Sequence, residues 1–470
     1  MKLSILFSSL LLIPSLCYGE GLYQRYLVRM KKTSNPRSPD RNLNPIELLK
    51  IQGRESLRPL ISEVESSLNV NRRGPSSPSS SLIKSVSELW LVNAASIICQ
   101  PAYIERLKSL DAVEEIFPDE IIDISLGESS SYSKPDLLDR AGVEVLHEAG
   151  IEGSGVRIGI IDTGIVNHEV FKGRISAYRD FTPNPVKEFT DPIGHGTHVA
   201  GILAGANFKG EILGVAPLST LAVARVLEPI AKDGDELEIG RRVQAFASRI
   251  LSAMQWILDP DGDPLTNDTP HIINNSWGFP KELPLSRAMF EEVLSRWSEL
   301  GIISVFAAGN DGKRGDDSIL FPGSLQHVIT VGATDGKKRA YFSGIGSTEL
   351  SKPDFVAPGY RVYSLKKYGH SFLLGPMSGT SMAAPYVSGL IALMKSYDPF
   401  IKQEHAYKLL KLTSLDLGKS GWDPEHGWGL VQPSRLKSIL QDQLHEKLSE
   451  GGRMGFAYYE HFYKIGRAHV

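Results

Sequence analysis

Short runs dominated by apolar residues recur through the middle of the chain, at 156–161, 220–226, 271–274, 302–307 and 327–331, with helical spacing between them at 199–205 and 241–258. A strand with one wet face alternates apolar and polar residues, so an unbroken apolar run of strand length needs apolar cover on both faces. Parallel strands with helices on either side meet that need. The pattern therefore predicts a doubly wound, mostly parallel α/β sheet. Ligands of such sheets bind beyond the carboxyl ends of the strands, which makes the residues just after each run the first candidates for chemistry.

The preceding part of the chain reads differently. Residues 22–125 give strand, helix, strand, helix, strand, with strands at 26–30 and 89–99 and helices at 45–68 and 101–110. Residues 72–81, rich in Ser, Pro and Gly, read as a loop. This is a small α+β module. Ahead of it, residues 1–19 carry Lys2, an apolar run over 3–13 and small Gly19 before Glu20, the layout of a secretory signal peptide. Export to an extracellular or periplasmic space is expected, without stable membrane insertion, because 3–13 is short for a span.

Cys17 and Cys99 are the only cysteines. With Cys17 expected to leave with the leader, no intramolecular disulfide is expected, and stability must come from packing. The net charge of −3, with no basic stripe, gives no electrostatic reason to expect nucleic acid as a partner. No internal repeat is present.

Three polar groups stand where the sheet rule puts ligands. Asp162 ends the first apolar run, His195 opens a helix, and Ser381 opens the helix expected over 381–395. A serine hydroxyl is a weak nucleophile that needs a base to take its proton and a carboxylate to orient that base. Asp162, His195 and Ser381 supply the three types. Pro385 is expected in the first turn of its helix, where a missing N–H has no partner to lose.

Ile161-Asp162-Thr163-Gly164, Gly194-His195-Gly196-Thr197-His198-Val199-Ala200-Gly201 and Gly379-Thr380-Ser381-Met382-Ala383-Ala384-Pro385 resemble the signature blocks of the subtilisin-like serine protease (subtilase) family. Gly214-Val215-Ala216-Pro217, Asn275-Ser276-Trp277-Gly278, Ala307-Ala308-Gly309-Asn310 and Ala357-Pro358-Gly359 agree with it, and the resemblance covers about 135–440. It implies a serine endopeptidase working through an acyl-enzyme, with Asp162, His195 and Ser381 as triad and Asn310 as side-chain donor to the oxyanion. It also implies a substrate cleft built from Ser276, Trp277, Gly278, Ala308, Gly309 and Leu320. Trp277 has the core as its alternative place. Leu320 stands where the family often has glycine at the floor of the specificity pocket, which implies small or medium apolar residues ahead of the cut.

By the same resemblance, 20–128 is an inhibitory, ferredoxin-like propeptide that assists folding, cleaved between 121 and 134, and 129–444 is the peptidase domain. The expected partners are protein or peptide substrates and the chain's own propeptide. No cofactor is required. His195 and His198 have metal-like spacing but no third ligand of suitable type nearby, so no metal is assigned. Asp259, Asp261, Asp263 and Asp268 hint at calcium, yet the terminal glutamate and remaining spacing of an EF-hand loop are missing, and the stretch reads as a solvated acidic turn. Calcium stays open but unassigned.

Residues 445–470 form an unassigned tail. The last seven, Lys464-Ile465-Gly466-Arg467-Ala468-His469-Val470, read as the in-frame translation of a short-read sequencing adapter and are set aside from fold reasoning. Two other functions stay compatible with these residues: a catalytically silent peptide-binding scaffold, and a peptide ligase or cyclase on the same fold.

Overall fold

In a computed structural model the chain is described at residues 23–32, 43–71, 82–129, 142–230, 242–263, 265–280 and 286–440. The expected leader, the loop at 72–81, Lys134 and the tail beyond 440 lie outside the described residues.

The N-terminal module runs β1 (Gln24–Met30), α1 (Pro45–Asn71), β2 (Ile83–Leu89), β3 (Ala94–Cys99), α2 (Pro101–Lys108) and β4 (Val113–Pro118). Its sheet has the order β2-β3-β1-β4 and every pairing is antiparallel, the ferredoxin-like arrangement. The single strand expected over 89–99 is instead the corner of a hairpin. Leu89 ends β2, Trp90–Val92 make one turn of 3-10 helix, and Asn93 takes a left-handed φ of 49° before β3 starts. Trp90, Leu91 and Val92 are all buried, so Asn93 is the one polar turn signal at a corner otherwise built of apolar residues. Helix α1 comes so close to this corner that a Cβ at Gly53 would stand 2.0 Å from the Trp90 carbonyl oxygen.

Two short strands then leave the module, β5 (Ile121–Ser125) and β6 (Glu128–Ser129). Both pair with the second unit. Its sheet contains β7 (Arg157–Asp162), β8 (Ile175–Asp180), β9 (Thr220–Arg225), β11 (Ile272–Asn275), β12 (Ile303–Ala307), β13 (Ile329–Thr334) and β14 (Phe355–Pro358), with β10 (Arg242–Phe246) standing apart. The order across its 7 strands is β14-β13-β12-β11-β7-β9-β8, all parallel, as the apolar runs predicted. The edge strands β8 and β14 escaped the sequence pattern; β8 is half-exposed and lacks a continuous apolar run.

The faces of the sheet are covered differently. Ile158 and Ile160 of β7 join the core under α3 (His195–Ala204) and α6 (Thr380–Tyr397), while Ile161 joins the core under α4 (Ala247–Trp256) and α5 (Arg287–Glu299). The second core is continuous with Leu27, Val92 and Ile97 of the N-terminal module, which packs on α4 and α5. Each large apolar side chain buried there contributes about 1.5–3 kcal/mol.

The stretch 241–258 is not helical throughout. Residues 242–246 form β10, antiparallel to β5 with Arg242 opposite Ser125 and Phe246 opposite Ile121, and α4 starts only at Ala247. Val243 sits four residues ahead of Ala247, so helical spacing runs unbroken into β10. The partner that makes it a strand is distant in sequence, and local periodicity cannot see it. Beyond β14, the hairpin β15 (Val362–Tyr368) and β16 (Ser371–Ser378) leads into α6, followed by α7 (Gln403–Thr413) and a helix at 433–440.

Strand order reverses between β7 and β11, whose chain neighbours diverge to opposite sides of the sheet. Such a switch point opens a crevice at the carboxyl ends of the two strands. Asp162 closes β7, and Asn275 closes β11 with Ser276 directly after it.

Candidate active site

Asp162 is fully buried, and its Oδ1 accepts the Thr163 N–H at 2.7 Å and the Nδ1–H of His195 at 2.7 Å. That bond fixes the imidazole tautomer and leaves Nε2 as a lone-pair acceptor. Nε2 is buried and has no hydrogen-bond partner among the described residues. His195 is the first residue of α3, entered through Gly194 with φ 90°, a conformation that excludes most side chains. Gly196 is equally constrained, since a Cβ there would stand 2.2 Å from the Gly164 carbonyl oxygen.

Asp191 organises this corner. Its Oδ1 accepts from Thr163 Oγ1 at 2.8 Å, Ile193 N at 3.2 Å and Gly194 N at 2.7 Å; its Oδ2 accepts from both N and Oγ1 of Thr197 at 2.8 Å. Free N–H groups at a helix start attract a carboxylate. Thr163 in turn accepts the Gly196 N–H at 2.8 Å, so one buried carboxylate ties the loop after β7 to the helix carrying the histidine. Sequence reading passed over Asp191. An aspartate three residues ahead of a helix-entry glycine is the signal that could have found it.

Ser381 sits in the first turn of α6, where helix geometry leaves its backbone N–H without an acceptor. Its Oγ donates to the Ser276 carbonyl at 3.0 Å, so the Ser381–His195 hydrogen bond of an engaged triad is not made in this conformation. Ser276 Oγ returns a bond to the Ser381 carbonyl at 2.9 Å and accepts from Asn274 Nδ2 at 2.9 Å, and Asn274 Oδ1 accepts from Ser388 Oγ at 2.9 Å. The chain of bonds explains how the helix tolerates Pro385. Because α6 begins at Thr380, Pro385 is past the first turn, contrary to expectation, and its missing N–H would orphan the Ser381 carbonyl. Ser276 Oγ supplies the replacement donor.

Asn310 follows β12. Its Oδ1 accepts from the Thr380 N–H at 2.9 Å and from Thr380 Oγ1 at 3.1 Å, which assigns the amide orientation, because an N–H can meet only the oxygen. The Nδ2 donors are then turned to the Gly379 side, with Nδ2 3.6 Å from where a Gly379 Cβ would be. Two donors, Asn310 Nδ2 and the Ser381 N–H, therefore stand at the start of α6, the positive end of its dipole.

Of the residues expected to line the cleft, Trp277 turns its side chain into the core, where it stacks on Phe279 and meets Phe306 edge-on at 5.5 Å between centroids. Gly278 and Gly309 face each other across Leu320: a Cβ on Gly278 would stand 2.8 Å from Leu320 Cβ, and one on Gly309 2.4 Å from Leu320 Cγ. Leu320 N–H is held by the Ala308 carbonyl at 2.9 Å. The leucine thus fills the slot between the two loops.

His198 is also buried. It donates Nε2–H to the Gly375 carbonyl at 3.1 Å, and burial pushes its imidazole down to about 3, so the ring is neutral. Among the described residues, neither His195 nor His198 belongs to a cluster able to hold a metal.

The chain threads this site with its own residues. β5 lies against β10 on one side, and on the other β6 pairs with β16, Glu128 opposite Ser378 and Ser129 opposite Met377. Between them Gly127 packs its backbone on Gly379, so closely that a Cβ would stand 2.1 Å from the Ser378 carbonyl oxygen. Asp119 anchors the approach by accepting the Ser248 N–H at 3.0 Å and the Ser248 hydroxyl at 2.5 Å at the start of α4.

Residues 153–429 match the Subtilase family. The chain is 31% identical over 314 residues to "Subtilisin-like protease PopC" of Myxococcus xanthus, covering 62% of either protein. It is 31% identical over 343 residues to "Subtilisin NAT" of Bacillus subtilis subsp. natto, covering 72% of this chain and 79% of that one. Among solved structures it resembles one of the proteases from Pseudoalteromonas arctica PAMC 21717, with a TM-score of 0.52, 25% identity, and coverage of 64% of this chain and 94% of that one.

Proposed function

The chain belongs to the subtilase family, and from that premise we propose that it is a secreted serine endopeptidase, made as a precursor, with Asp162, His195 and Ser381 as its triad. In this reading Ser381 Oγ rotates from the Ser276 carbonyl to His195 Nε2, which takes its proton as Oγ attacks a peptide carbonyl. Asn310 Nδ2 and the Ser381 N–H receive the charge that develops on the carbonyl oxygen. His195 then protonates the leaving amine, and water releases the acyl group by the same steps in reverse order. Asp162 holds the ring and stabilises the imidazolium.

The observation that carries this reading is the pairing of 121–125 with β10 and of 128–129 with β16, with Gly127 between them against Gly379, two residues ahead of Ser381. An extended peptide bound main chain to main chain across a nucleophile is the posture of an endopeptidase substrate. The same threading supports residues 20–126 as an inhibitory propeptide with autocleavage between Leu126 and Gly127, the residues left between the two paired segments. This moves the expected boundary back by two positions. Among the described residues no helix is long and apolar enough to cross a membrane, and export rests on the leader at 1–19.

Mass spectrometry of an unstructured protein incubated with the matured chain should show fragments, whereas unchanged substrate or joined peptides would favour the scaffold or the ligase. A serine-directed phosphonate should label Ser381, and the matured chain should begin at Gly127. Ser381→Ala should abolish labelling and leave the precursor whole. Maturation of the Ser381→Ala chain by itself would overturn the proposal.

A further inference from the structure

The extended path through the cleft does not end at β5. Ahead of Ile121 the Glu120 carbonyl accepts the Ala247 N–H at 2.8 Å, so the pairing of 121–125 with β10 runs unbroken to the first residue of α4. One residue further back, Asp119 sets its carboxylate on the next position of that helix. The Ser248 N–H donates to Oδ1 at 3.0 Å and the Ser248 hydroxyl to Oδ2 at 2.5 Å. The Asp119 side chain is fully buried, and from its own module it meets Arg25, whose Nε is 3.9 Å from Oδ2. Burial pushes the Asp119 carboxyl up; the two Ser248 bonds pull it down, followed by Arg25 and Arg249. Arg25 belongs to β1, whereas both Ser248 donors and Arg249 belong to α4 and stay when the module leaves.

We propose that Ser248 and Arg249 at the start of α4 form a subsite for a substrate carboxylate on the eighth residue ahead of the cut bond, and that Asp119 fills it in the precursor. The inference rests on the reading of 119–126 as a substrate-like segment cut after Leu126. A helix start alone attracts anions without selecting one. Here a carboxylate is seated on it, and the main chain that carries it is the same extended segment that crosses the active site. The β10 ladder sets the register. Five residues are paired, Glu120 adds the next contact, and each strand residue advances about 3.3 Å. A peptide that follows the ladder back from the cut therefore delivers its eighth residue to Ser248. Side chains alternate between the two faces of a strand, so an acid one position off turns away. With the module gone, the Ser248 N–H is one of the first-turn donors that a helix cannot satisfy internally. A substrate carboxylate satisfies that donor and the hydroxyl together. Arg249 is held beside them by Glu228 Oε2 at 3.2 Å and by the Phe246 ring, 5.1 Å from guanidinium to centroid.

The test measures kcat/KM of the matured wild-type enzyme on three synthetic peptides. The parent has the sequence of residues 117–129 and is expected to be cut after Leu126. The second carries Asp119→Asn. The third carries Pro118→Asp with Asp119→Asn, which keeps the parent's charge but moves it one residue out of register. The parent should be cut about tenfold faster than the second, the lower end of what hydrogen bonds to a charged group contribute, and the third should do no better than the second. In the enzyme, Ser248→Ala removes one of the two donors and should narrow the parent's advantage at least threefold. Equal cutting of the parent and the second peptide, full recovery in the third, or an advantage that Ser248→Ala leaves unchanged would overturn the subsite while the endopeptidase stands. If the parent itself stays whole, the endopeptidase reading and the subsite fall together.

Discussion

Replacing Asp191 with asparagine tests whether one carboxylate holds the histidine corner together. Its oxygens collect five hydrogen bonds, three at Oδ1 and two at Oδ2. An amide offers one acceptor oxygen. Placed with its NH2 at the Oδ2 position, it lets the Thr197 hydroxyl rotate to accept but strands the Thr197 N–H; placed the other way it confronts three donors. The first orientation is the cheaper. Loss of one bond to a charged acceptor costs about 1.5–3 kcal/mol, and the three bonds that remain lose their charge assistance. The sum is about 3–4 kcal/mol for local opening. At about 1.4 kcal/mol per tenfold, that is a loss of protection on the order of 100- to 1,000-fold. Amide hydrogen exchange over 191–197 in the Ser381→Ala background reads this directly, since local opening is measured without reversible global unfolding. In the active enzyme kcat should fall at least tenfold with KM little changed, because the histidine loses its placement and the cleft does not. Protection altered by less than threefold would refute the reasoning.

His198 gives a pH signature: the unfolded ring takes a proton near 6.5 while the folded ring waits until about 3, so stability falls as pH drops through that window, by about 1.4 kcal/mol per unit. His198→Gln should flatten the fall of unfolding temperature between pH 6.5 and 4.5 in the Ser381→Ala chain; an unchanged slope would remove His198 from the account. Trp277→Ala should cost about 3–5 kcal/mol of stability, measured by thermal unfolding, with peptide KM moved less than threefold; the reverse pattern would place the indole in the cleft. Leu320→Gly should raise kcat/KM for Phe over Leu ahead of the cut by about tenfold in a peptide library, and an unaltered preference would show that the leucine does not set the pocket.

The sheet and the neighbourhood of the site were legible because both rest on local chemistry. Continuous apolar runs need cover on both faces wherever they lie, which gave the strands around Ile160, Val223, Val305 and Val331. Asp162, His195 and Ser381 stand out in the sequence because each lies at the end of a strand or the start of a helix, positions that spacing and glycine mark. What escaped depended on partners remote in the chain. Residues 242–246 keep helical spacing and become a strand only because Ile121–Ser125 lies beside them. Trp90–Val92 turn a corner with apolar residues because α1 covers them. Pro385 is harmless because a hydroxyl 109 positions earlier, on Ser276, supplies the donor its ring lacks. The inward turn of Trp277 and the bond from Ser381 Oγ to the Ser276 carbonyl belong to the same class. The sequence alone determines what each residue can donate, accept or bury; which of those capacities is used depends on the group that folding brings within about 3 Å, and hydrogen bonds act only at that range.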